Sequence, residues 1–298
     1  MNVAVLASPA DEQRLVSMLE VLAASGIEAF GLKIGPGWDD LDQERLLERL
    51  AKASHFLVVA APESWASSWF AFSAGYCLGR GAAFVLYRLD PDRAFPRYLE
   101  GQPVIDTPDE LSAYFAVERA EWLLRERRRA ARESLLEMGV SFHGDALAQC
   151  VSEGDTRAVE LFIRAGTQPN VCDKHGVPLL CLAARAKHRV VAELLLDEGA
   201  QIDAQSQDRG YSALMDAARM GAADLVDFFL SRGADPNLQS KDGQTALVIA
   251  VGRNDVETAR KLLDYGADPG TVDKLGLSAR KYAALFKNPA MLALLGPG

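Results

Sequence analysis

Hydrophobic and polar positions follow two different patterns in the two halves of this chain. In the first 112 residues, short apolar runs are separated by stretches of helical periodicity, as is typical of a parallel sheet covered by helices on both faces. The runs predict strands at Val3 to Ala7, Ala29 to Leu32, Phe56 to Ala60, Ala83 to Arg88 and Val104 to Ile105. The intervening periodicity predicts helices at Pro9 to Ala24, Leu41 to Ala53 and Trp69 to Leu78.

The alternation of strands and helices favours an α/β fold with a small flavodoxin-like parallel sheet for residues 1–112. Ligands of such sheets gather outside the carboxyl ends of the strands. We therefore expect any site of this domain at that edge.

The second half repeats itself with a period near 33 residues. Gly166, Gly199, Gly233 and Gly266 recur at intervals of 33, 34 and 33 residues. Gly176, Gly210, Gly243 and Gly276 form a second series in the same phase. Two glycine series in phase over more than a hundred residues predict an all-α solenoid over residues 141–298.

This half resembles the ankyrin repeat, whose first helix opens with Gly-x-Thr-Pro-Leu-His-x-Ala-Ala. The matching segments are Gly243 to Ala250, Gly210 to Ala218 and, more weakly, Gly176 to Ala184. The resemblance implies about five units, of which the outer two are atypical. The last unit carries Arg280 and Lys281, which is what a polar terminal cap needs.

Local signals define the helices of each unit. Thr245, Ser212 and Ser278 are placed to cap first helices with a side-chain oxygen. The second helices carry apolar residues at helical spacing and end at a Gly-Ala pair, because glycine enters the left-handed conformation without steric cost.

An array of this kind offers a concave binding surface built from turn tips and first helices. The resemblance therefore implies a protein partner. The candidate contact residues at the tips are Lys174, His175, Asp208, Arg209, Lys241, Asp242 and Lys274. A purely structural interpretation stays open, since turn residues are polar whenever they are exposed.

Between Gly26 and Arg88 the chain resembles a bacterial TIR (Toll/interleukin-1 receptor-like) domain. Pro36-Gly37-Trp38 stands where that family has its BB loop, and Ser54 to Ala60 fits its Ser-x-x-x-x-Val-Val segment. Ser67 to Ser73 stands where the family has Ser-x-Trp-Cys-x-x-Glu. The chain also resembles nucleoside deoxyribosyltransferases, through Ala71 to Tyr76.

Both families cleave an N-glycosidic bond with a glutamate on a helix, and both alignments place that glutamate at Ser73. Departure of the base builds oxocarbenium character on the sugar, which a carboxylate stabilises and a hydroxyl does not. The resemblance therefore implies a degenerate pocket with Trp38, Glu63, Ser68, Trp69 and Ser73.

Two alternatives within this pocket remain open. Glu63 is the nearest acidic residue and could substitute for the missing glutamate, although a loop carboxylate is more often a surface charge. Trp38, Trp65 and Trp69 could stack on a base or nicotinamide ring, but Trp69 is as well explained as a core anchor. Neither a GxGxxG nor a GxxxxGK[ST] loop is present, so no cofactor is expected, and binding of NAD or a nucleotide stays an open option.

Residues 113–140 predict a linker helix, part of a helical stretch from Leu111 to Met138. Its arginines are interleaved with glutamates, which is typical of a solvated helix. Its apolar edge at Trp122 and Leu123 could instead mediate dimerisation, since TIR domains act by self-association.

The composition narrows the function further. The net charge of −9 argues against nucleic acid as a partner. No apolar run is long enough to span a bilayer and no secretory signal is evident, so a cytoplasmic protein is expected. The four cysteines lack CxxC spacing, and the histidines are scattered singly, so neither a disulfide framework nor a metal site is expected.

These observations favour a cytoplasmic adaptor with a catalytically inactive TIR-like domain and an ankyrin array that binds a protein. The rival hypothesis is an NAD glycohydrolase or nucleoside-processing N-glycosidase that the repeats target or regulate. A third option is a secreted effector that acts in a host cell.

Overall fold

The computed structural model describes residues 1–34, 40–59, 68–90 and 95–296. Its contacts divide the chain into two compact units, Met1–Glu126 and Arg127–Gly298. We call the first the sheet domain and the second the repeat array.

The described residues of the sheet domain form five parallel strands in the order β2-β1-β3-β4-β5. Each strand follows an apolar run that the sequence predicted, and the observed bounds differ from the predicted ones by one residue or none. The strands are β1 (Asn2–Ala7), β2 (Glu28–Lys33), β3 (His55–Val59), β4 (Ala83–Tyr87) and β5 (Val104–Ile105).

Alternate residues of each central strand face opposite layers of helices. Ala4 and Leu6 lie in the core on one face, and Val3 and Val5 lie in the core on the other face. The first core also contains residues of α2 (Asp40–Ala51) and α3 (Ser68–Gly79). The second contains residues of α1 (Glu12–Ala24) and of the N-terminal part of α4 (Pro108–Glu137). Both faces are therefore covered, as a parallel sheet requires.

Within the described residues, the repeat array contains five successive helix pairs. The pairs are α5 (Gly144–Glu153) and α6 (Thr156–Arg164), α7 (Leu179–Ala186) and α8 (Arg189–Asp197), α9 (Ala213–Met220) and α10 (Ala223–Ser231), α11 (Ala246–Gly252) and α12 (Val256–Asp264), and α13 (Ala279–Leu285) and α14 (Pro289–Leu295). We number the units 1 to 5 in this order. One continuous core of Leu, Val, Ala and Phe side chains runs through all five.

The predicted caps begin and end these helices. The hydroxyls of Ser212, Thr245 and Ser278 accept hydrogen bonds from backbone amides in the first turns of α9, α11 and α13. After the second helices, Gly199 and Gly233 both have a φ of 89°, in the left-handed region that glycine enters without cost. The repeat signals of the sequence are therefore signals of local backbone geometry.

Candidate protein-binding surface

A two-armed hairpin precedes the first helix of units 2 to 5, and each hairpin contacts the next through its backbone. The amide of Gln207 donates to the carbonyl of Gly176 at 2.9 Å, and the amide of Lys241 donates to the carbonyl of Arg209 at 3.1 Å. The amide of Lys274 continues the series to the carbonyl of Asp242 at 2.9 Å. The four hairpins therefore form one ladder along the array.

All four glycines of the second series have a φ between 69° and 78°, in the left-handed region that favours glycine, and the neighbouring hairpin adds a second constraint at some of them. A Cβ atom on Gly210 would lie 2.7 Å from the backbone nitrogen of Lys241. A Cβ atom on Gly243 would lie 3.0 Å from the Cα of Asp273. At Gly276, the last of the series, no atom lies within 4 Å of the added carbon. Gly210 and Gly243 therefore also leave room for the next hairpin, whereas at Gly276 the left-handed backbone alone accounts for the glycine.

Side chains reinforce the ladder at the same repeat position. The amide group of Gln205 donates to the carbonyls of Gly210 and Gln239, both at 2.7 Å. Gln239, one repeat later, donates to the carbonyls of Gly243 and Val272, both at 3.0 Å. Each glutamine thus ties its own hairpin to the following one.

The hairpins present the tip residues that the sequence predicted as partner contacts. All seven of these side chains are exposed. Their surroundings differ. Asp208 forms a salt bridge with Arg185, and Lys241 donates a hydrogen bond through Nζ to the carbonyl of Gln207. The guanidinium of Arg209 lies over the ring of Tyr211, 5.9 Å from its centre. Partner binding by this set stays a prediction.

A buried carboxylate on a first helix organises the neighbouring charges. The side chain of Asp216 is completely buried in α9 and accepts from Arg185 Nε at 2.8 Å and Arg219 Nη2 at 3.2 Å. Arg185 also reaches Asp208, one hairpin away, at 3.1 Å. One guanidinium on α7 therefore joins a hairpin tip to the next first helix.

The pKa values of the two aspartates move in opposite directions. Burial raises the pKa of Asp216, although both arginines oppose that shift. Burial also favours a raised pKa for Asp208. Hydrogen bonds from Ser206 and Arg185 outweigh this effect and hold the pKa of Asp208 below its usual range. Sequence reasoning missed this network. The sequence did contain a signal for this network. Asp216 is acidic, whereas the flanking units carry Leu182 and Ile249 at the same position of the repeat.

The last unit is less polar than the predicted cap. Arg280 Nε donates to the carbonyl of Leu295 at 3.1 Å, and Lys281 Nζ donates to the carbonyl of Gly276 at 2.9 Å. Apolar side chains are nevertheless exposed in this unit, to 78% at Leu275, 61% at Leu285 and 55% at Phe286. Arg280 and Lys281 thus bond backbone carbonyls rather than covering these apolar side chains.

The predicted glycosidic pocket falls mostly outside the described residues. Trp38, Glu63 and Trp65 lie in the gaps, and Ser68 and Trp69 are described only as backbone at the start of α3. Ser73 is described, and its side chain is completely buried in α3.

The carboxyl edge of the sheet holds a carboxylate that the sequence did not single out. Asp11 ends a short 3-10 helix after β1, Pro9–Asp11, and is only 4% exposed. Its Oδ2 accepts the hydroxyl of Ser8 at 2.6 Å, and its Oδ1 accepts Arg14 Nη1 at 2.9 Å. A signal was present, because an acidic residue four positions after the first strand falls at the edge where such sheets bind ligands.

The opposite edge of the sheet holds a buried histidine. His55 opens β3, is 3% exposed, and pairs through Nε2 with Glu118 Oε2 of α4 at 3.1 Å. Burial lowers the pKa of His55, and Glu118 opposes the shift. Its Nδ1 lies 2.9 Å from the hydroxyl of Ser54.

The apolar edge proposed for dimerisation is partly engaged within the sheet domain. Trp122 and Leu123 line a small cavity together with Met1, Ile27 and Arg119. Leu123 remains 41% exposed. Self-association through this edge stays a prediction.

None of the helices in the described part of the chain is long and apolar enough to cross a membrane. Within the same residues, His, Cys, Asp and Glu side chains form no group of three or more that could hold a metal ion.

Comparison with known proteins agrees with the geometry of the array. The family description "Ankyrin repeats (3 copies)" matches residues 147–240 and 221–298. An ankyrin repeat-containing protein of Treponema pallidum (strain Nichols) is 34% identical over 283 residues, which are 95% of each chain. That alignment spans most of the sheet domain as well as the repeats.

Other relatives align with a smaller part of this chain. The L-asparaginase of Dirofilaria immitis is 29% identical over 160 residues, which are 53% of this chain and 27% of that protein. Ankyrin repeat and SAM domain-containing protein 6 of Mus musculus is 35% identical over 89 residues, 30% of this chain and 10% of that protein. With half of its length matched by the family description and a relative aligned along nearly all of it, the chain belongs to the ankyrin repeat family.

Proposed function

We propose that this protein is a protein-interaction adaptor whose repeat array binds a partner protein. The observation that carries the proposal is the continuous ladder of hairpins. Its tips stay exposed while their backbones are fixed by the neighbouring units. A surface held in this way loses little conformational entropy on binding, which favours recognition of another protein.

The proposal includes a TIR-like domain over residues 1–112 without glycosidic activity, joined to the repeats by a linker at 113–140. The strand order 2-1-3-4-5 is that of flavodoxin-like sheets, which supports this assignment. The buried hydroxyl of Ser73 at the glutamate position supports the loss of activity. The proposed compartment is the cytoplasm, where the buried thiols of Cys77, Cys150 and Cys181 would stay reduced.

The rival function, an NAD glycohydrolase or a nucleoside N-glycosidase, gains one supporting observation in Asp11. This carboxylate lies at the edge of the sheet where such chemistry would take place. Its engagement with Ser8 and Arg14 favours a structural role instead, because both oxygens already accept a hydrogen bond.

Nicotinamide release from NAD, followed by chromatography with the full chain, decides between the two functions. We expect no release above the uncatalysed rate. Asp11→Asn and Glu63→Gln test the two carboxylates, and Asp106→Asn is the matched control, since Asp106 follows β5 and pairs with Arg88. If the control variant releases nicotinamide and either test variant does not, the protein is an enzyme, and the proposal of an inactive adaptor is wrong.

Site-specific photocrosslinking tests partner binding by the array. A benzophenone amino acid is placed at His175 or Arg209, on the hairpins, and in matched controls at Glu160 or Glu193, on second helices of the array. We expect a crosslinked partner from the hairpin positions alone. Equal yields from both sets would contradict recognition by the hairpins.

A further inference from the structure

Charge is unevenly distributed between the two sides of the repeat units. The hairpin and first-helix segments of units 2 to 5, at 171–186, 205–220, 238–253 and 271–286, carry nine basic and five acidic residues. The second-helix segments at 187–204, 221–237 and 254–270 carry five basic and eleven acidic residues. We call the first set the hairpin surface and the second the helix surface. An acidic protein thus places a basic surface where its hairpins form a ladder.

Four of the five carboxylates on the hairpin surface accept bonds from the array itself. Asp173 Oδ1 accepts the amides of His175 and Val177, both at 2.8 Å. Asp273 Oδ1 accepts two amides in the same way, and its Oδ2 accepts the hydroxyl of Tyr282 at 2.6 Å. Asp208 and Asp216 pair with Arg185. These four carboxylates therefore stabilise the conformation of the hairpin surface.

Five of the nine cations of the hairpin surface also bond the array itself, and the remaining four are more available. Lys174, Arg253 and Lys274 are exposed, and within the described residues none of the three forms a salt bridge. Arg209 and Lys241 are exposed at the two tips between Lys174 and Lys274. A row of cations thus follows the hairpins from unit 2 to unit 5.

From this arrangement we infer that the hairpin surface recognises an acidic segment of its partner protein. The inference rests on the proposed function and adds the chemistry of the partner. Complementary charge along an extended surface steers encounter and selects among partners more than it adds affinity. The acidic helix surface repels the same segment, so binding is directed to the hairpins.

A protein segment fits this surface better than a nucleic acid. Asp242 and the paired Asp208 lie among the cations of the tips. Both would repel a continuous chain of phosphates, whereas a polypeptide can place a basic or neutral residue opposite them. Nucleic acid is therefore an outcome that would count against the inference.

Charge reversal on the hairpin surface, compared with the same reversal on second helices of the array, tests the inference. Lys174→Glu/Lys274→Glu changes two exposed side chains at the ends of the row. The matched control, Arg157→Glu/Arg260→Glu, makes the same change in net charge on exposed positions of α6 and α12. Circular dichroism checks that both full-length variants keep the helical content of the wild type.

Both variants and the wild type are used to select binders from a random twelve-residue peptide library displayed on phage. We expect enrichment of Asp and Glu on the wild type and the control, and its loss on the reversed hairpin variant. Fluorescence anisotropy with a selected peptide should show at least about tenfold weaker binding to that variant, and weaker binding as salt rises and screens the charges.

Three results would overturn the inference. They are selected peptides without acidic enrichment, equal binding by the hairpin variant and the wild type, and tighter binding of a single-stranded DNA of similar length. If hairpin-specific photocrosslinks are nevertheless found, the adaptor function stands and only the acidic chemistry of the partner fails. If neither peptides nor crosslinks are found, the adaptor function itself fails.

Discussion

The sheet domain and the repeat array organise their contacts over different distances along the chain. In the sheet, β1 pairs with β2 on one side and with β3 on the other, so residues more than fifty positions apart must meet before the core exists. In the array, each helix pair and hairpin contacts the adjacent unit. The sheet is therefore expected to open as a whole, and the array unit by unit.

The two regions also handle buried polar groups differently. The sheet domain pairs His55 of β3 with Glu118 of α4, across a large sequence separation. The array places Asp216 between two arginines. Arg185 comes from the preceding unit, and Arg219 lies one turn further along the same helix. The first pair fixes where a helix lies on a sheet, and the second fixes how one repeat follows another.

The largest expected effect comes from removing one buried aromatic side chain in each region. Phe56 in β3 and Phe229 in α10 are both completely buried. Phe56→Ala and Phe229→Ala should each cost about 4 kcal/mol, through lost burial and the cavity that remains. Hydrogen exchange should show faster exchange over the whole sheet for Phe56→Ala. For Phe229→Ala it should be confined to the units next to α10, and uniform loss of protection from α5 to α14 would contradict the comparison.

The buried charge network gives the next largest effect. Arg185→Met removes the guanidinium that joins Asp216 to Asp208 and leaves a buried carboxylate with a single partner. We expect a loss of about 3 kcal/mol in urea denaturation. Arg164→Met, which removes an exposed pair with Glu160, is the control and should change stability by less than about 0.5 kcal/mol. Equal effects of both changes would show that Arg185 acts as an ordinary surface residue.

A smaller effect is expected at a helix cap. Thr245→Ala removes the oxygen that accepts the amide of Val248 at 3.3 Å and should lower stability by about 1 kcal/mol. Thr245→Ser keeps the oxygen and should stay close to the wild type in thermal unfolding. If the serine variant loses as much as the alanine variant, the methyl group rather than the cap stabilises this turn.

The smallest effect is a dependence of sheet stability on pH. Burial lowers the pKa of His55 in the folded protein below the ordinary value of 6.5, so the unfolded chain binds its proton more readily. Stability contributed by neutral His55 is therefore complete above about pH 6.5 and declines as the pH falls below it. Thermal unfolding from about pH 7.5 to 5.5 should show a weaker decline for His55→Phe than for the wild type. Parallel pH profiles would assign the decline to other groups.

The sequence determined the backbone of this protein to a large extent. Apolar runs placed the five strands, and the two glycine series placed the units of the array, because both signals reflect geometry within one strand, helix or turn. The cap hydroxyls of Ser212, Thr245 and Ser278 could be read in the same way, since each bonds an amide three residues on.

The tertiary structure decided which polar side chains meet. Asp216, Arg185 and Asp208 come from two units, and Ser8, Asp11 and Arg14 gain their meaning only from the edge of the sheet on which they lie. The excess of basic residues on the hairpin surface likewise becomes visible only when the structure shows which segments lie on the hairpin side and which on the second-helix side of the array. Local periodicity fixes helices and turns within about one repeat, whereas these pairings depend on the stacking of separate elements, which no local pattern encodes.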